Sequence, residues 1–344
     1  MKRGLHALRL LFPLAGAALS LTACGGGEGG VNPVDGTSTS TGVGGDGGAG
    51  DGVGGDGGAG DGGRGGAGGE GGTGEGGTGE AGGGGGDTDA AIAVELAFEG
   101  RVKDEVFSCS DTYAVGAAAT DVKLNDFRLY IHDVRLHRAD GEKVPLTLEQ
   151  DGKWQLENIV LLDFEDKSGS CANGTQETNG RVLGTVPAGE YDGLSFKLGV
   201  PFARNHGDAS VAPSPLNLTG LFWSWNHGYK FLRIDSVPEQ GGDPFIIHVG
   251  STGCVAGDGG EVTACDRPNV AEIVFEGIDP LATKVLVDYG ALVADTDVSA
   301  NAGGTPGCMS DATDPDCPPL FTHLGIDVTD GSPRPEQQSF FRIE

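Results

Sequence analysis

Leu194-Ser195-Phe196-Lys197-Leu198-Gly199-Val200 alternates apolar and polar residues with a period of two. A strand with one buried face reads this way, because successive side chains leave the backbone on opposite sides. Phe245-Ile246-Ile247-His248-Val249 is apolar on both parities, which predicts a strand covered on two sides. Ile273-Val274-Phe275 and Val285-Leu286-Val287-Asp288-Tyr289 read as further short strands. Turn residues fall between the runs, as in Pro187-Ala188-Gly189 and Gly241-Gly242-Asp243-Pro244. No stretch sustains a helical period. Short strands with frequent turns predict an all-β domain, an antiparallel sandwich or barrel-like fold.

One run changes phase. Phe127, Leu129 and Ile131 share a parity, and Val134 and Leu136 have the other. A bulge near His132-Asp133 would join the two registers, and bulges re-aim side chains near sites. His132 has the parity of Val134 and Leu136, so an inward direction is open to it, beside the ordinary reading of an exposed strand histidine.

The β-rich domain is expected over residues 90–344. Residues 1–23 read as a signal peptide. Lys2, Arg3 and Arg9 precede an apolar run, Leu10 to Leu19, that is too short to span a bilayer. The segment ends in Leu21-Thr22-Ala23-Cys24, which resembles a bacterial lipobox and marks Cys24 for lipidation. Gly25, rather than Asp, follows the cysteine and favours the outer membrane. Residues 24–89 then form a linker. Most of the 65 glycines lie here, and Gly42 to Asp51 repeats without change as Gly52 to Asp61. Such a segment has too little apolar surface to offset its ordering entropy and is expected to be a disordered tether. Calcium-binding nonapeptide repeats are not expected, because Gly follows each Asp where a β-roll needs an apolar residue.

The formal charge of −28 repels phosphate backbones and excludes nucleic-acid binding. Cations or a basic protein partner are favoured instead. Apart from Cys24, six cysteines remain, and in an exported chain an even number implies disulfides, here with 15 connectivities open. Cys254 with Cys265 and Cys308 with Cys317 each bracket a short acidic loop, as stapled turns do. Cys109 and Cys171 then pair by default. A thiolate metal site is the rival reading, but no CxxC spacing supports it.

The whole chain has three Trp and seven His. Two of each fall in Trp223-Ser224-Trp225-Asn226-His227-Gly228-Tyr229-Lys230-Phe231 and the strand after it. Oxidisable indoles near imidazoles suggest a metal or redox site. Taken alone, Trp223 and Trp225 would read as core packing, His248 as a hydrogen-bonded core histidine, His206 as a turn cap, His227 as surface and Trp154 as packing.

The order of several motifs is more specific than any one of them. Asp126-Phe127-Arg128-Leu129-Tyr130-Ile131, Leu198-Gly199-Val200-Pro201 with Asn205-His206, and Trp223-Ser224-Trp225 with Gly228-Tyr229-Lys230-Phe231 come first. His248-Val249-Gly250-Ser251-Thr252-Gly253-Cys254 and Gly307-Cys308-Met309-Ser310 with Asp314-Pro315-Asp316-Cys317 follow. This series, from roughly Ala93 to Asp327, resembles the MbnP-like family, the four-Cys proteins of the metallo-mystery pair systems. The resemblance implies an exported copper-binding protein that is not itself an enzyme. It also implies a di-haem partner of the cytochrome c peroxidase/MauG type, which oxidises a tryptophan to kynurenine. On matching positions the implied metal-site residues are His206, His248, Trp223 and Trp225, with His132 beside a motif. The chemistry is coherent. An intact indole offers no in-plane lone pair, whereas its ring-opened product carries an amine and a ketone. Imidazole suits copper, which heads the divalent affinity order.

Two other classes remain in view. A surface adhesin or ligand-binding lipoprotein could hold Ca²⁺ on Asp258, Asp311, Asp314 and Asp316. A hydrolase built on Asp133, His132 and a serine is disfavoured, since no Gly-x-Ser-x-Gly elbow occurs in the folded part.

Overall fold

The computed structural model describes residues 90–344, so Cys24 and the Gly-rich linker lie outside the described residues. The main strands are β1 (Ala91–Val102), β2 (Thr120–His137), β3 (Ile159–Asp163), β4 (Arg181–Pro187) and β5 (Gly193–Leu198). They continue with β6 (Phe222–Ser224), β7 (Gly228–Tyr229), β8 (Leu232–Pro238), β9 (Phe245–Val249) and β10 (Thr252–Ala256). The last five are β11 (Val262–Arg267), β12 (Ala271–Glu276), β13 (Lys284–Asp288), β14 (Gly307–Cys308) and β15 (Phe341–Ile343).

One sheet runs β15-β13-β1-β4, and the other β12-β5-β2-β8-β9-β14 with β3 beside β2. Leu96 and Phe98 of β1, Val182 of β4 and Val287 of β13 share a core with Phe127 and Leu129 of β2, Phe196 of β5 and Ile247 of β9. Two sheets thus close on one apolar layer, which is a sandwich. Each fully buried Phe or Leu there contributes about 1.5–3 kcal/mol through removal from water. Pairing is antiparallel except for β1 with β13 and β9 with β14, which are parallel. The longest helix among the described residues is α3 (Cys317–Leu324), preceded by the single turns α1 (Phe202–Asn205) and α2 (Tyr289–Leu292). Tyr289, expected to end a strand, instead opens α2, where the Asp288 carboxylate accepts the Ala291 N–H.

The expected bulge is present. β2 pairs β5 with Arg135 opposite Ser195 and His132 opposite Lys197, so Asp133 and Val134 together face the single residue Phe196. Asp133 takes a φ of +55°, a left-handed conformation that Asp tolerates better than branched residues do. Its carboxylate is held by Arg135 at 2.8 Å and Lys197 at 3.0 Å. The inward direction open to His132 is corrected. The bulge falls after it, so His132 stays in phase with Tyr130, while Ile131, Val134 and Leu136 all reach the main core. His132 is buried, but on the opposite face of the sheet.

That opposite face has its own apolar layer: Tyr130, Ile159, Leu161, Val200, Leu221, Tyr229 and Phe231. Tyr130 and Tyr229 meet edge to face at 5.9 Å, and their hydroxyls donate to the Pro215 and Leu216 carbonyls. Residues 200–231 are thereby tied down as a second cover on the sheet. On the other parity of β9, His248 lies beside Trp223 of that cover.

All three expected cysteine pairs form: Cys254 with Cys265 and Cys308 with Cys317, expected from their spacing, and Cys109 with Cys171, expected by default.

Candidate metal centre

The covering segment delivers His206 and both tryptophans. Asn205, fully buried at the end of α1, fixes their arrangement. Its Oδ1 accepts the Tyr229 N–H at 2.8 Å, and its amide donates to Ser251 Oγ at 3.3 Å and His206 Nε2 at 3.2 Å. One side chain so pins the β6–β7 hairpin, the end of β9 and the imidazole. Gly228 at the hairpin turn has φ +73°, and a Cβ there would stand 2.4 Å from Asn205 Oδ1. Both constraints demand glycine.

The two tryptophans leave the hairpin in different directions. Trp225 is 50% exposed and lines a cleft of about 770 Å³ with His206, Phe202, Asp208, Phe222 and Glu261. Trp223 lies against Gly250, where a Cβ would come within 2.6 Å of its ring, and its centroid is 6.3 Å from that of His248. Ser310 clamps that corner: its hydroxyl donates to the His248 carbonyl and accepts the Gly250 N–H, both at 3.0 Å.

Three imidazoles share one feature. His206 Nδ1 faces the Trp225 carbonyl at 2.9 Å, and His132 Nδ1 faces the Gly199 carbonyl at 2.8 Å. A carbonyl only accepts, so each Nδ1 must carry the proton and each Nε2 is unprotonated, that of His206 accepting from the Asn205 amide. His248 is the mirror case. Its Nε2 faces Asp235 Oδ1 at 2.8 Å, and its Nδ1 is buried with no partner. Burial holds all three below the ordinary imidazole value, against the opposing pull of their acceptors. Near pH 7 they are therefore neutral, the form that binds metals. A ligating histidine typically has this layout, its second nitrogen donating to a carbonyl or carboxylate. His137 and His323 differ. His137 is taken by Glu276 and Ser195, and His323 by Ser339 and Asp295, at both nitrogens. His227 is exposed and holds Ser224.

The structure groups the expected residues in parts. His206 goes with Trp225, and His248 with Trp223. His132 borders a separate recess of about 370 Å³ with Val200, Pro201 and Phe202. Phe202 is common to that recess and the Trp225 cleft. Among the described residues, the set of three metal-ligand side chains with donor atoms within 4.8 Å of one another is His206, Cys254 and Cys265.

Residues 91–310 match the family model described as MbnP. The chain belongs to the MbnP family. No curated protein matches it. Among solved structures it is similar to MbnP from Methylosinus trichosporium, with 30% identity and a TM-score of 0.67, covering 74% of this chain and 98% of that one. The MbnP match takes in His132, His206, Trp223, Trp225 and His248, and five of the six paired cysteines. Cys317 lies beyond it.

Three contributors to this MbnP site were not singled out from sequence. Asn205 had a signal only as the neighbour of His206. Asp235 sits in Leu232-Arg233-Ile234-Asp235-Ser236 and looks like an exposed strand acid. Gly250 reads as a strand end, and only the Trp223 ring above it explains the missing side chain. The acidic loops considered for Ca²⁺ use their carboxylates locally. Asp311 accepts the Thr313 N–H, Asp314 the Asp316 N–H, and Asp316 the Ala302 N–H.

Proposed function

We propose that this MbnP-family chain is an exported copper-binding lipoprotein, anchored through Cys24 at the outer membrane. The observation that carries the reading is the shared layout of His132, His206 and His248. Each has one nitrogen donating to a carbonyl or carboxylate and the other unprotonated, and in His206 that second nitrogen accepts from the Asn205 amide. The orphaned, buried Nδ1 of His248 is the sharpest instance, since leaving such an atom unpaired costs about 1–3 kcal/mol. The fit to copper is good: neutral imidazoles from separate segments are ligands it favours. His206 and His248 would hold it, with His132 in a supporting place, and the bound ion would supply soft-cation handling rather than catalysis by the chain.

The reading extends to the tryptophans. A di-haem partner of the MauG/peroxidase type oxidises one of the pair to kynurenine. Trp225 is the candidate, because it is half exposed at the cleft mouth, where a partner can reach it, and its carbonyl already orients His206. With a peroxide as oxidant at the partner's haem, ring opening adds two oxygen atoms across the indole double bond to give the N-formyl amine and the ketone, and one water then hydrolyses the formyl group, releasing formate and leaving the aryl amine. The acidic chain would steer a basic face of that partner.

The test is production of the mature chain with and without the di-haem partner. With it, peptide mass spectrometry should show a net exchange of one carbon for one oxygen at Trp225, and copper should bind near one to one. Without it, the indoles stay intact and copper binding weakens at least ~10-fold, as expected when one ligand is missing. Intact indoles in native material, together with refusal of copper, would sink the proposal.

A further inference from the structure

Two of the three disulfides are sealed. Cys109, Cys171, Cys308 and Cys317 are between 0 and 3% exposed. Cys254 and Cys265 are partly exposed. They sit directly opposite each other on the β10–β11 ribbon, which pairs with neither large sheet. The ribbon is tied at its base, where Arg267 Nε donates to Thr252 Oγ1 and the Asn269 amide to the Gly250 carbonyl. The accessible disulfide is also the one that touches a candidate ligand. His206 Nε2, the unprotonated nitrogen, accepts from the Asn205 amide and is also 3.5 Å from Cys265 Sγ. All three donor atoms lie within 4.8 Å of one another.

Bonded to each other, the sulfurs are poor ligands. As thiolates they are the soft donors that select monovalent copper. We propose that reduction of Cys254–Cys265 creates, with His206, a two-sulfur, one-nitrogen site for Cu(I). The proposal rests on the copper reading above only for the choice of ion. The reductant is a dithiol. One of its thiolates attacks a Sγ to give a mixed disulfide, and its second thiol displaces the protein sulfur. The protein gains two electrons and two protons, and the reductant leaves as its own disulfide. Cu⁺ then displaces both thiol protons. Sulfurs sharing one ion at about 2.3 Å each must part to about 4 Å. Residues at facing positions of a ribbon anchored only at its base can make that adjustment by side-chain rotation. His206 need not move far, since its other nitrogen is already held by Trp225. The site would take up Cu(I) under reducing conditions and lose it when the disulfide re-forms.

The experiment uses the full mature chain. Treatment with a water-soluble phosphine, then alkylation and peptide mapping, should label Cys254 and Cys265 before the four buried cysteines. After removal of the phosphine, titration against a chromogenic Cu(I) chelator should show at least ~100-fold tighter binding than in the oxidised chain, with a new thiolate–copper ultraviolet band. The double variant Cys254→Ser, Cys265→Ser should show neither the gain nor the band, while matching the oxidised wild type in its remaining copper binding. His206→Ala should keep the band and weaken the reduced site ~10-fold or more. Equal affinity before and after reduction, labelling of the buried cysteines first, or no reduction short of unfolding would overturn the proposal. An oxidised chain that binds copper and gains nothing on reduction rejects this site and leaves the function proposed above. An oxidised chain that refuses copper and becomes a tight binder on reduction does the reverse.

Discussion

Asp235→Ala is expected to cost the domain about 1–3 kcal/mol, the usual penalty for leaving largely buried hydrogen-bonding groups without their partner. Asp235 Oδ1 accepts from His248 Nε2, and Oδ2 accepts from Arg233 Nε and Nη2 at 2.9 and 2.7 Å. Burial pushes the carboxyl up, but His248 and Arg233 outweigh that and hold it below its ordinary value. Removing it strands two groups at once. Asp126 still reaches Arg233 at 3.1 Å, which places the loss toward the lower end of the range. Denaturant midpoints of wild type and variant measure it directly. A change under ~1 kcal/mol would mean that the network is solvated and contributes little.

Asp235→Asn separates stability from metal chemistry. The amide keeps the shape and can still accept from His248, so the fold should survive. The lost charge no longer favours electron density on the imidazole, and copper affinity should fall about 10–100-fold, as outer-shell changes do. His137, with both nitrogens engaged elsewhere, provides the control. If His137→Ala impaired copper binding as much as Asp235→Asn in a folded chain, the assignment of His248 would be wrong.

The strands and the disulfides were legible because each depends on local pattern. A period-two run announced β5, short apolar runs announced β9 and β12, and the parity change in Phe127–Leu136 announced the bulge at Asp133. Short spacing identified two cysteine pairs and left the third by default. The direction of His132 was not legible, since parity alone does not say on which side of the bulge a residue falls. Long-range partners were invisible for a different reason. Asp235 matters only because β9 lays His248 beside it across the sheet, and Asn205 matters only because separate segments converge on its amide. Single-chain periodicity reports which face a residue takes. It does not report what the chain will lay over that face.

Stability should fall as pH rises from 6.5 to 8, by about 1–2 kcal/mol, and Asp163→Asn should remove most of the fall. Asp163 ends β3 fully buried; its Oδ1 accepts the Glu165 N–H, and its Oδ2 has no partner. Burial pushes its carboxyl up to about 8, with Arg128 pulling the other way and Glu165 and Asp126 adding to the rise. The folded chain therefore holds a proton here that the unfolded chain, with its ordinary value of 3.8, has released. A group raised in this way stabilises most below its unfolded value, and that stability is lost as pH climbs through the folded one. Glu165, also raised by burial, acts in the same sense. The lowered histidines act in the opposite sense, but only below their ordinary 6.5, so they do not mask the alkaline limb. Over the window of about 1.5 pH units, one proton at about 1.4 kcal/mol per unit gives the upper figure. Asparagine imitates the protonated carboxyl without the proton uptake, so the variant should match wild type only near pH 4 and exceed it by a growing margin up to pH 8. Denaturant midpoints across that range decide the matter. Parallel profiles for the two proteins would show that Asp163 is already ionised in the folded chain, with Arg128 strong enough to hold it so.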